Sequence, residues 1–360
     1  MIDIVMGCQY GSEGKGLIAD ILAQQNEYEW LISVNSAQAG HTVYFNPQLS
    51  SLPEDQTKVV TRQLPSACIN NHSAKIYIGS GALINPSVLD EEIEMLEALD
   101  IPIKNRLFIS EQATIISAED IQEEEDSGLQ GRVGSTCEGV GSAQKNRVMR
   151  KAIVAREFYR IFNPSLYEGK FTLVKRWELT DLNLQETKIL LEGSQGYQLS
   201  LYDDNYPYTT SRPISVPAFL AYAELPPFNI NDIYGVFRTF PIRVGGNSGH
   251  LPDEMTWEEV AEYSGYPELA EYTTVTKRLR RIGKFNMVFA ERAINMNQIT
   301  HPILTFVNYY DSKVENCTSY SELTERAKEN IAFIEDTMGI KFYMLSTSRY
   351  GHHIIQGEEI

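Results

Sequence analysis

The first 24 residues constrain the fold more than any other part of the sequence. A short apolar run, Ile2–Met6, leads directly into the glycine-rich segment Gly7–Gly16 (GCQYGSEGKG) and then into the helical pattern of Leu17–Gln24. In a strand–turn–helix of this kind, glycines allow backbone N–H groups to point at an anion, and the helix N-terminus adds partial positive charge. Lys15 would add a full charge. The segment therefore predicts a phosphate-binding loop.

This loop departs from the standard P-loop pattern GxxxxGK[ST] at two positions. Residue 9 is Gln, and Gly16 stands where a Ser or Thr would bind magnesium. At this point a glycine-rich turn with a purely structural role remains an alternative.

The rest of the chain alternates short apolar runs with amphipathic helical stretches. Strands of the buried, parallel-sheet type are predicted at Ile2–Met6, Trp30–Val34, Lys75–Ile78, Leu107–Ser110, Ile189–Glu192 and Ile303–Val307. A helix is predicted to begin after Asn85, because Asn caps helices well and Pro86 suits the first turn. We therefore expect an α/β fold with a central, mostly parallel sheet flanked by helices. Since no Gly/Ser-rich or Pro-rich linker divides the sequence, we expect residues 1–360 to form a single domain.

Charge and cysteine usage limit the classes of partner. The 360 residues include 31 basic and 48 acidic side chains, a formal net charge of −17. Such a surface repels phosphate polymers and anionic lipid, so we expect neither nucleic acid nor membrane as a partner. The acidic run Glu119–Asp126 is interpreted as a solvated helix face or loop rather than a metal site. Four scattered cysteines, no apolar run near 18 residues and no basic leader after Met1 favour a cytoplasmic protein.

A second candidate segment is Gln38–Thr42 (QAGHT), which follows a predicted strand. His41 is expected on a loop that faces the phosphate loop across adjacent parallel strands. An imidazolium beside a transferring phosphoryl group can stabilise developing charge or protonate an oxygen. A structural histidine is the alternative.

These two segments resemble those of the adenylosuccinate synthetase family, and the resemblance extends along most of the chain. Further segments that match in family order are Leu64–Ser66, Ile78–Gly81, Gly134–Thr136, Glu192–Gly196, Tyr206–Ser211, Arg243–Gly246 and Thr274–Gly283. The resemblance implies a P-loop-NTPase-like core, a homodimer and dependence on Mg²⁺. It also implies a carbon–nitrogen ligase that joins L-aspartate to C6 of a purine nucleotide through a 6-phosphoryl intermediate.

Position 12 departs from the family pattern. The family loop has GDEGKG, whose Asp acts as base toward purine N1 and as a magnesium ligand, whereas this chain has Ser12. A hydroxyl is a poor base and a weaker ligand, so we hypothesise that Ser12 relays the proton through water. The shorter neutral side chain leaves room for a substituent at C2. We therefore predict dGMP as acceptor, as in the phage PurZ branch that serves 2-aminoadenine DNA and would act in the host cytoplasm. IMP, in ordinary purine biosynthesis, is the alternative.

The energy donor is predicted from the segment Thr305–Asn308 (TFVN). Family members that use GTP have Thr-Lys-x-Asp here, and the carboxylate accepts from guanine. The Asn308 amide instead offers both a donor and an acceptor, which suits adenine, and Phe306 can stack in place of the lysine. We therefore predict ATP or dATP.

The resemblance also implies a role for each matched site residue. The predicted catalytic residues are Ser12, Lys15 and His41. The predicted ATP-binding residues are Glu13, Gly14, Lys15, Gly16, Gly40, Thr42, Phe306 and Asn308. The predicted purine monophosphate-binding residues are Ser12, Gln38, Thr136, Arg150, Gln195, Thr210 and Arg278, with Arg150 crossing the dimer interface to the neighbouring site. The predicted aspartate-binding residues are Thr274, Val275, Thr276, Arg278 and Arg280, and the predicted Mg²⁺ ligands are Ser12 and Gly40.

Two other classes of protein compete with the ligase. One is a nucleotide-binding switch or kinase without ligation, which the segment Thr274–Gly283 argues against. The other is an inactive binding protein, since position 12 lacks its acid; Lys15, His41 and both arginines Arg278 and Arg280 argue against it.

Overall fold

The computed structural model describes residues 1–45, 58–162, 164, 168–175, 183–273, 277–348, 350–351 and 353–357. The strands are β1 (Ile2–Gly7), β2 (Trp30–Ser33), β3 (His41–Tyr44), β4 (Lys58–Thr61), β5 (Lys75–Ile78), β6 (Leu83–Ile84), β7 (Leu107–Ser110), β8 (Thr114–Ile115), β9 (Thr172–Val174), β10 (Ile189–Gly196), β11 (Ile230–Arg238), β12 (Ile242–Arg243), β13 (Glu254–Met255), β14 (Arg281–Gly283), β15 (His301–Thr305), β16 (Met344–Ser346) and β17 (Ile354–Gln356).

The α-helices are α1 (Lys15–Gln25), α2 (Pro86–Ala98), α3 (Ala118–Asp126), α4 (Leu129–Val133), α5 (Val140–Val148), α6 (Ala155–Glu157), α7 (Val216–Ala223), α8 (Trp257–Ser264), α9 (Met287–Asn297) and α10 (Glu325–Met338). Short 3₁₀ turns lie at Ser66–Cys68, Tyr197–Leu199, Pro227–Asn229, Val307–Tyr309, Ser312–Val314 and Tyr320–Glu322, and a π-turn lies at Phe158–Phe162.

One ten-stranded sheet organises the molecule, in the order β17-β16-β15-β11-β1-β10-β2-β5-β7-β9. Neighbouring strands are parallel throughout, except for the antiparallel pair β16 and β17 at one edge. The predicted mostly parallel sheet is confirmed. Because the strands point the same way, the loops after β1, β2, β10, β11 and β15 reach one edge of the sheet, where ligands of such folds bind.

Helices cover both faces of this sheet. Alternation along β1 places Ile2, Ile4 and Met6 in the hydrophobic core of one face and Val5 in that of the other. Helices α7, α9 and α10 pack on the first face, and α1 and α2 on the second. In the part of the chain that the structure describes, no helix is long and apolar enough to cross a membrane.

The predicted strands are all present, with small changes at their ends. β10 continues past Glu192 to Gly196, and β15 ends at Thr305 rather than Val307. The start of α2 is confirmed, because the Asn85 side chain accepts hydrogen bonds from the N–H groups of Ser87 (3.1 Å) and Val88 (3.4 Å). β11, in the middle of the sheet, was not predicted.

The acidic run 119–126 corrects one interpretation. It forms most of α3, as an acidic helix would, but Asp120 and Glu124 are buried. The Glu124 carboxylate accepts hydrogen bonds from the N–H groups of Gly139 (2.9 Å) and Ser142 (3.2 Å). The solvated interpretation is wrong for these two residues, because a run of acidic letters does not show which members have backbone donors to satisfy.

Candidate active site

The phosphate loop connects β1 to α1 and contains three residues in the left-handed region. Gly11 and Gly14 have φ values of 90° and 87°, and Ser12 has a φ of 61°. A residue with a Cβ is uncommon there, so other contacts must stabilise this backbone. Arg238 Nη1 donates a hydrogen bond to the Ser12 carbonyl oxygen at 3.2 Å. The exposed Ser12 side chain is therefore carried on a fixed backbone.

A carboxylate from within the loop satisfies two of its N–H groups. Glu13 is 0% exposed, and its Oε1 accepts from the N–H groups of Gln9 (3.1 Å) and Gly11 (2.7 Å). Its Oε2 lies 2.9 Å from Lys15 Nζ. Thr305 at the end of β15 donates to the Glu13 carbonyl oxygen at 2.7 Å. Thus Glu13 and Lys15, both predicted to bind ATP, form a buried pair that stabilises the loop itself.

Gly16 has no room for a side chain. A Cβ at this position would lie 3.0 Å from Ser66 Oγ and 3.1 Å from His41 Cβ. The Ser or Thr of a standard P-loop would require these neighbours to shift by a few tenths of an ångström. The sequence showed the departure from the pattern, and the packing of α1 against β3 and the 66–68 turn explains it.

His41 lies beside this helix start, as the first residue of β3 rather than on a loop. It is 6% exposed, and its Nδ1 is hydrogen-bonded to Glu192 Oε1. Because a carboxylate only accepts, Nδ1 carries the proton. Nε2 is buried and has no hydrogen-bond partner among the described residues. The ring therefore has one buried nitrogen that no described residue satisfies.

Glu192 connects the central strand β10 to two site elements. It is 1% exposed, and Ser66 donates to it from both its N–H (2.7 Å) and its hydroxyl (2.9 Å). Sequence reasoning placed Glu192 in a matched segment and missed its role, because His41 and Ser66 lie 151 and 126 positions away along the chain.

Among the predicted monophosphate-binding residues, one contact between two members is present, that of Gln38 with Thr210, in the part of the chain that the structure describes. Gln38 Nε2 donates to Thr210 Oγ1 at 3.2 Å, and Gln38 Oε1 is buried with no partner in the described ranges. Gln195 is half-buried with a φ of 62°, and Thr136 is half-buried in the loop before α5. Arg150, just after α5, has a φ of 59° and an exposed side chain.

The predicted aspartate loop is described only at its two sides, because Thr274, Val275 and Thr276 lie outside the described residues. Thr273 N–H donates to the Arg278 carbonyl oxygen at 2.9 Å, and Tyr272 pairs with Leu279, so the flanks form a hairpin. The Arg278 side chain is exposed. The structure thus leaves one predicted carboxylate-binding arginine open to an incoming ligand.

The other arginine of this loop, Arg280, belongs to a partly buried charge network centred on Glu271. Arg238 Nη2 donates to Glu271 at 2.5 Å, Tyr309 Oη donates at 2.9 Å, and Arg280 lies 3.6 Å away. Although burial opposes it, the Arg238 guanidinium holds the pKa of Glu271 below its ordinary value. Arg238 was missed because β11, which carries it, was not predicted.

The segment predicted to bind the donor base follows β15. Phe306 has a φ of 59°, and Val307–Tyr309 form a 3₁₀ turn. The Arg238 guanidinium lies 3.9 Å from the centroid of the Phe306 ring, so it covers one face of that ring. Asn308 is nearly buried, and its Nδ2 donates to Tyr266 Oη at 2.8 Å.

The oxygens of Ser12 and Gly40 are compatible with a magnesium ion that arrives with a nucleotide. Both residues are exposed at the mouth of the site. Mg²⁺ usually takes one or two protein oxygens and completes its shell with phosphate and water. No cluster of three or more His, Cys, Asp or Glu side chains suited to a metal occurs in the described part of the chain.

Comparisons with known proteins extend over nearly the whole chain. The sequence profile described as Adenylosuccinate synthetase matches residues 4–176 and 169–313. Adenylosuccinate synthetase of Thermococcus sibiricus is 33% identical over 358 residues, which cover 99% of this chain and 98% of that protein. The N6-succino-2-amino-2′-deoxyadenylate synthase of Vibrio phage phiVC8 is 34% identical over 319 residues, which cover 86% of each.

A solved structure also matches nearly the whole chain. The succinoaminodeoxyadenylate synthetase (PurZ) of cyanophage S-2L, bound to dGMP and to dATP as an energy donor, superimposes with a TM-score of 0.82. Its sequence is 28% identical, and the match covers 99% of this chain and 95% of that chain.

Proposed function

This chain belongs to the adenylosuccinate synthetase family and is a carbon–nitrogen ligase, and from that premise we propose that its nucleotide substrate is dGMP. The reaction would join L-aspartate to C6 of dGMP with ATP or dATP as donor. It would yield N6-succino-2-amino-2′-deoxyadenylate, phosphate and ADP or dADP, a precursor for 2-aminoadenine DNA. The observation that carries this proposal is the exposed hydroxyl of Ser12 on its fixed left-handed backbone, where the family has an aspartate.

The Ser12 position supports guanine for a steric and an electrostatic reason. Because Arg238 fixes the carbonyl of residue 12, the side chain there cannot move away with its backbone. An aspartate would extend one atom further and bring a negative charge toward purine C2. A hydroxyl leaves space for the 2-amino group and can accept from it. The phage relatives, one bearing this activity in its name and one bound to dGMP, support the same choice.

The proposed chemistry has two steps. In the first, O6 of the purine attacks the γ-phosphorus, the bond to the β-phosphate oxygen breaks, and the N1 proton leaves, with Ser12 and water as its proposed acceptor. In the second, the aspartate amine attacks C6, and phosphate departs with O6 while the amine loses a proton. Each step requires positioning and charge neutralisation above all.

The residues of the loop and its neighbours would supply that neutralisation. As an imidazolium, His41 can donate a hydrogen bond from Nε2 to a phosphoryl oxygen. Its Nδ1–H would continue to donate to Glu192. Lys15 and the loop N–H groups would contact the donor phosphates, and Ser12 and Gly40 would hold Mg²⁺. When bound, Mg²⁺ neutralises phosphate charge. The part of the site that binds the phosphate donor would also include Gly14, Gly16 and Thr42. Glu13 would lie behind these residues.

The two remaining substrates would lie on either side of residue 12. Gln38, Thr136, Gln195 and Thr210 would bind the monophosphate, and Arg150 would reach it from the second subunit of a homodimer. Arg278 and Arg280, with Thr274, Val275 and Thr276, would bind the carboxylates of aspartate, since an arginine fork matches a carboxylate.

IMP is the second candidate acceptor, because the archaeal adenylosuccinate synthetase is as similar in sequence as the phage enzyme. Aspartate-dependent phosphate release with dGMP, GMP and IMP separates the two. We expect dGMP to give the highest kcat/KM and Ser12→Asp to move the preference toward IMP. A wild-type preference for IMP would overturn the dGMP proposal and leave the ligase assignment intact.

A further inference from the structure

An asparagine alone does not distinguish adenine from guanine. Adenine presents a donor at its 6-amino group and an acceptor at N1, whereas guanine presents an acceptor at O6 and a donor at N1. The carboxamide of Asn308 carries one acceptor and one donor end, so turning it by 180° exchanges the two patterns. If this residue contacts the donor base, something else in the protein must fix which way the amide points.

A neighbouring phenol and carboxylate provide such a constraint. Asn308 Nδ2 donates to Tyr266 Oη at 2.8 Å, and Tyr266 Oη in turn donates to Glu315 Oε2 at 2.9 Å. The phenol has a single proton, and a carboxylate only accepts, so that proton goes to Glu315. The phenol oxygen then offers Asn308 only a lone pair. A turned amide would bring its carbonyl oxygen against this lone pair, which is unfavourable.

Ring packing holds the phenol in place. The Tyr266 ring lies edge-on to Tyr309 at 6.2 Å, and Tyr309 lies edge-on to Phe306 at 5.3 Å. Ser312 donates to the Gly265 carbonyl oxygen at 3.3 Å and so ties the two segments together. Burial raises the pKa of Tyr266 to about 12, so its hydroxyl keeps its proton at neutral pH.

The acceptor end of the amide is left open by this arrangement. Asn308 is 8% exposed, and among the described residues its Oδ1 accepts no hydrogen bond. The second hydrogen on Nδ2 is also without an acceptor there. One acceptor and one donor therefore remain side by side for a ligand.

We infer that Tyr266 and Glu315 are positioning residues that set the donor-base specificity of Asn308 by fixing its amide in one orientation. In that orientation Oδ1 accepts from the 6-amino group of adenine, and Nδ2 donates to N1. This inference rests on the proposed use of ATP or dATP. Neither Tyr266 nor Glu315 needs to touch the base.

The test compares ATP with ITP, which presents O6 and N1–H as guanine does but lacks the 2-amino group. In Tyr266→Phe the amide is free to turn, so the ratio of kcat/KM for ATP to that for ITP should fall about tenfold, the value of one hydrogen bond. The change should appear in KM for the triphosphates, with kcat for ATP retained. Glu315→Gln should cause a smaller fall in this ratio. A glutamine can donate a hydrogen bond to the Tyr266 oxygen, and the Tyr266 O–H is then free to donate to Asn308.

A matched control lies on the adjacent helix α8. Tyr263 also donates one hydrogen bond from its hydroxyl, to Asn330 Oδ1 at 3.0 Å, and has no hydrogen bond with Asn308. Tyr263→Phe should leave the ATP-to-ITP ratio unchanged. If Tyr266→Phe is too unstable to assay, the exposed Glu315→Gln variant carries the test by itself.

The outcomes separate this inference from the proposal beneath it. An unchanged ATP-to-ITP ratio in Tyr266→Phe and Glu315→Gln overturns the inference. So does an equal loss of kcat with both donors, which would indicate a structural role. A wild-type enzyme that uses ITP and GTP as well as ATP overturns the proposed donor before any variant is made.

Discussion

The buried charges of the phosphate loop and the buried polar groups of Gln38, His41 and Ser211, here called the acceptor side of the site, differ in how they are satisfied. In the loop, Glu13 accepts from two backbone N–H groups and pairs with Lys15, so the loop supplies its own counter-charge. On the acceptor side, His41 Nε2, Gln38 Oε1 and Ser211 Oγ are buried without partners in the described part of the chain. Buried polar groups normally have partners, and those that lack them are candidates for ligand contacts.

This difference teaches that the two regions should respond differently to mutation. A change in the loop should affect folding and turnover together, because its polar groups already contribute to stability. A change at an unsatisfied acceptor group should affect turnover alone.

The largest effect is expected for Glu13→Gln. The variant keeps an acceptor for Gly11 but leaves the buried Lys15 ammonium without its counter-charge. We expect the free energy of unfolding to fall by about 3 kcal/mol, and turnover to fall on the order of 100-fold as the loop loses its shape. Urea unfolding and phosphate release measure the two effects. The exposed Glu27→Gln variant is the control, and a stable but inactive Glu13→Gln enzyme would contradict the comparison.

His41→Asn should lower kcat roughly 100-fold, as is typical when a positioned donor to a developing charge is lost. The shorter amide can still donate to Glu192, so the free energy of unfolding should change by less than about 1 kcal/mol. The control is the exposed His72, and His72→Asn should change neither kcat nor the free energy of unfolding. A large loss of stability in His41→Asn would place His41 with the loop rather than with the acceptor side.

Glu192→Gln tests the connection between the two regions. Its amide can keep an acceptor for Ser66 N–H, but it removes the negative charge beside the imidazole and permits the wrong tautomer. We expect kcat to fall about tenfold with little change in any KM, since Glu192 acts through His41. A rise in the KM of all three substrates would instead indicate that the sheet edge had been distorted.

The remaining prediction concerns stability alone and involves Asp20, the carboxylate of α1, which is poorly satisfied. Asn70 and Gln24 donate to its Oδ2, but Oδ1 has no partner among the residues described, and burial raises the pKa of Asp20 to about 8. The folded state thus binds this proton more tightly than the unfolded state. The group's contribution to stability is complete below about pH 4 and is lost as the pH rises toward 8.

Asp20→Asn removes that dependence. We expect the variant to be more stable than the wild type at pH 8 and equal to it near pH 4, because the asparagine carries no charge at either pH. Urea unfolding at both pH values measures the difference. Equal stability at pH 8 would show that Asp20 is ionised without cost in the folded protein.

The sequence predicts most strands of the central sheet and part of the candidate site, and individual residues show why. β1, β2, β5 and β7 are short runs in which most residues are apolar and buried, so the sequence pattern identifies them. β11 begins Ile230-Asn231-Asp232, which reads as a turn, and the strand was missed together with Arg238 at its end. Glu192 contacts His41 and Ser66, which are distant in sequence, and only the folded chain brings such residues together.

The crowding at residue 16 also limits how this protein can be re-engineered. Replacing Gly16 with Thr, to copy the magnesium ligand of ordinary P-loop enzymes, would require His41 and Ser66 to shift. A single-site graft of that chemistry should therefore disrupt the imidazole it was meant to assist. A successful conversion would have to change residue 16 together with its neighbours at positions 41 and 66.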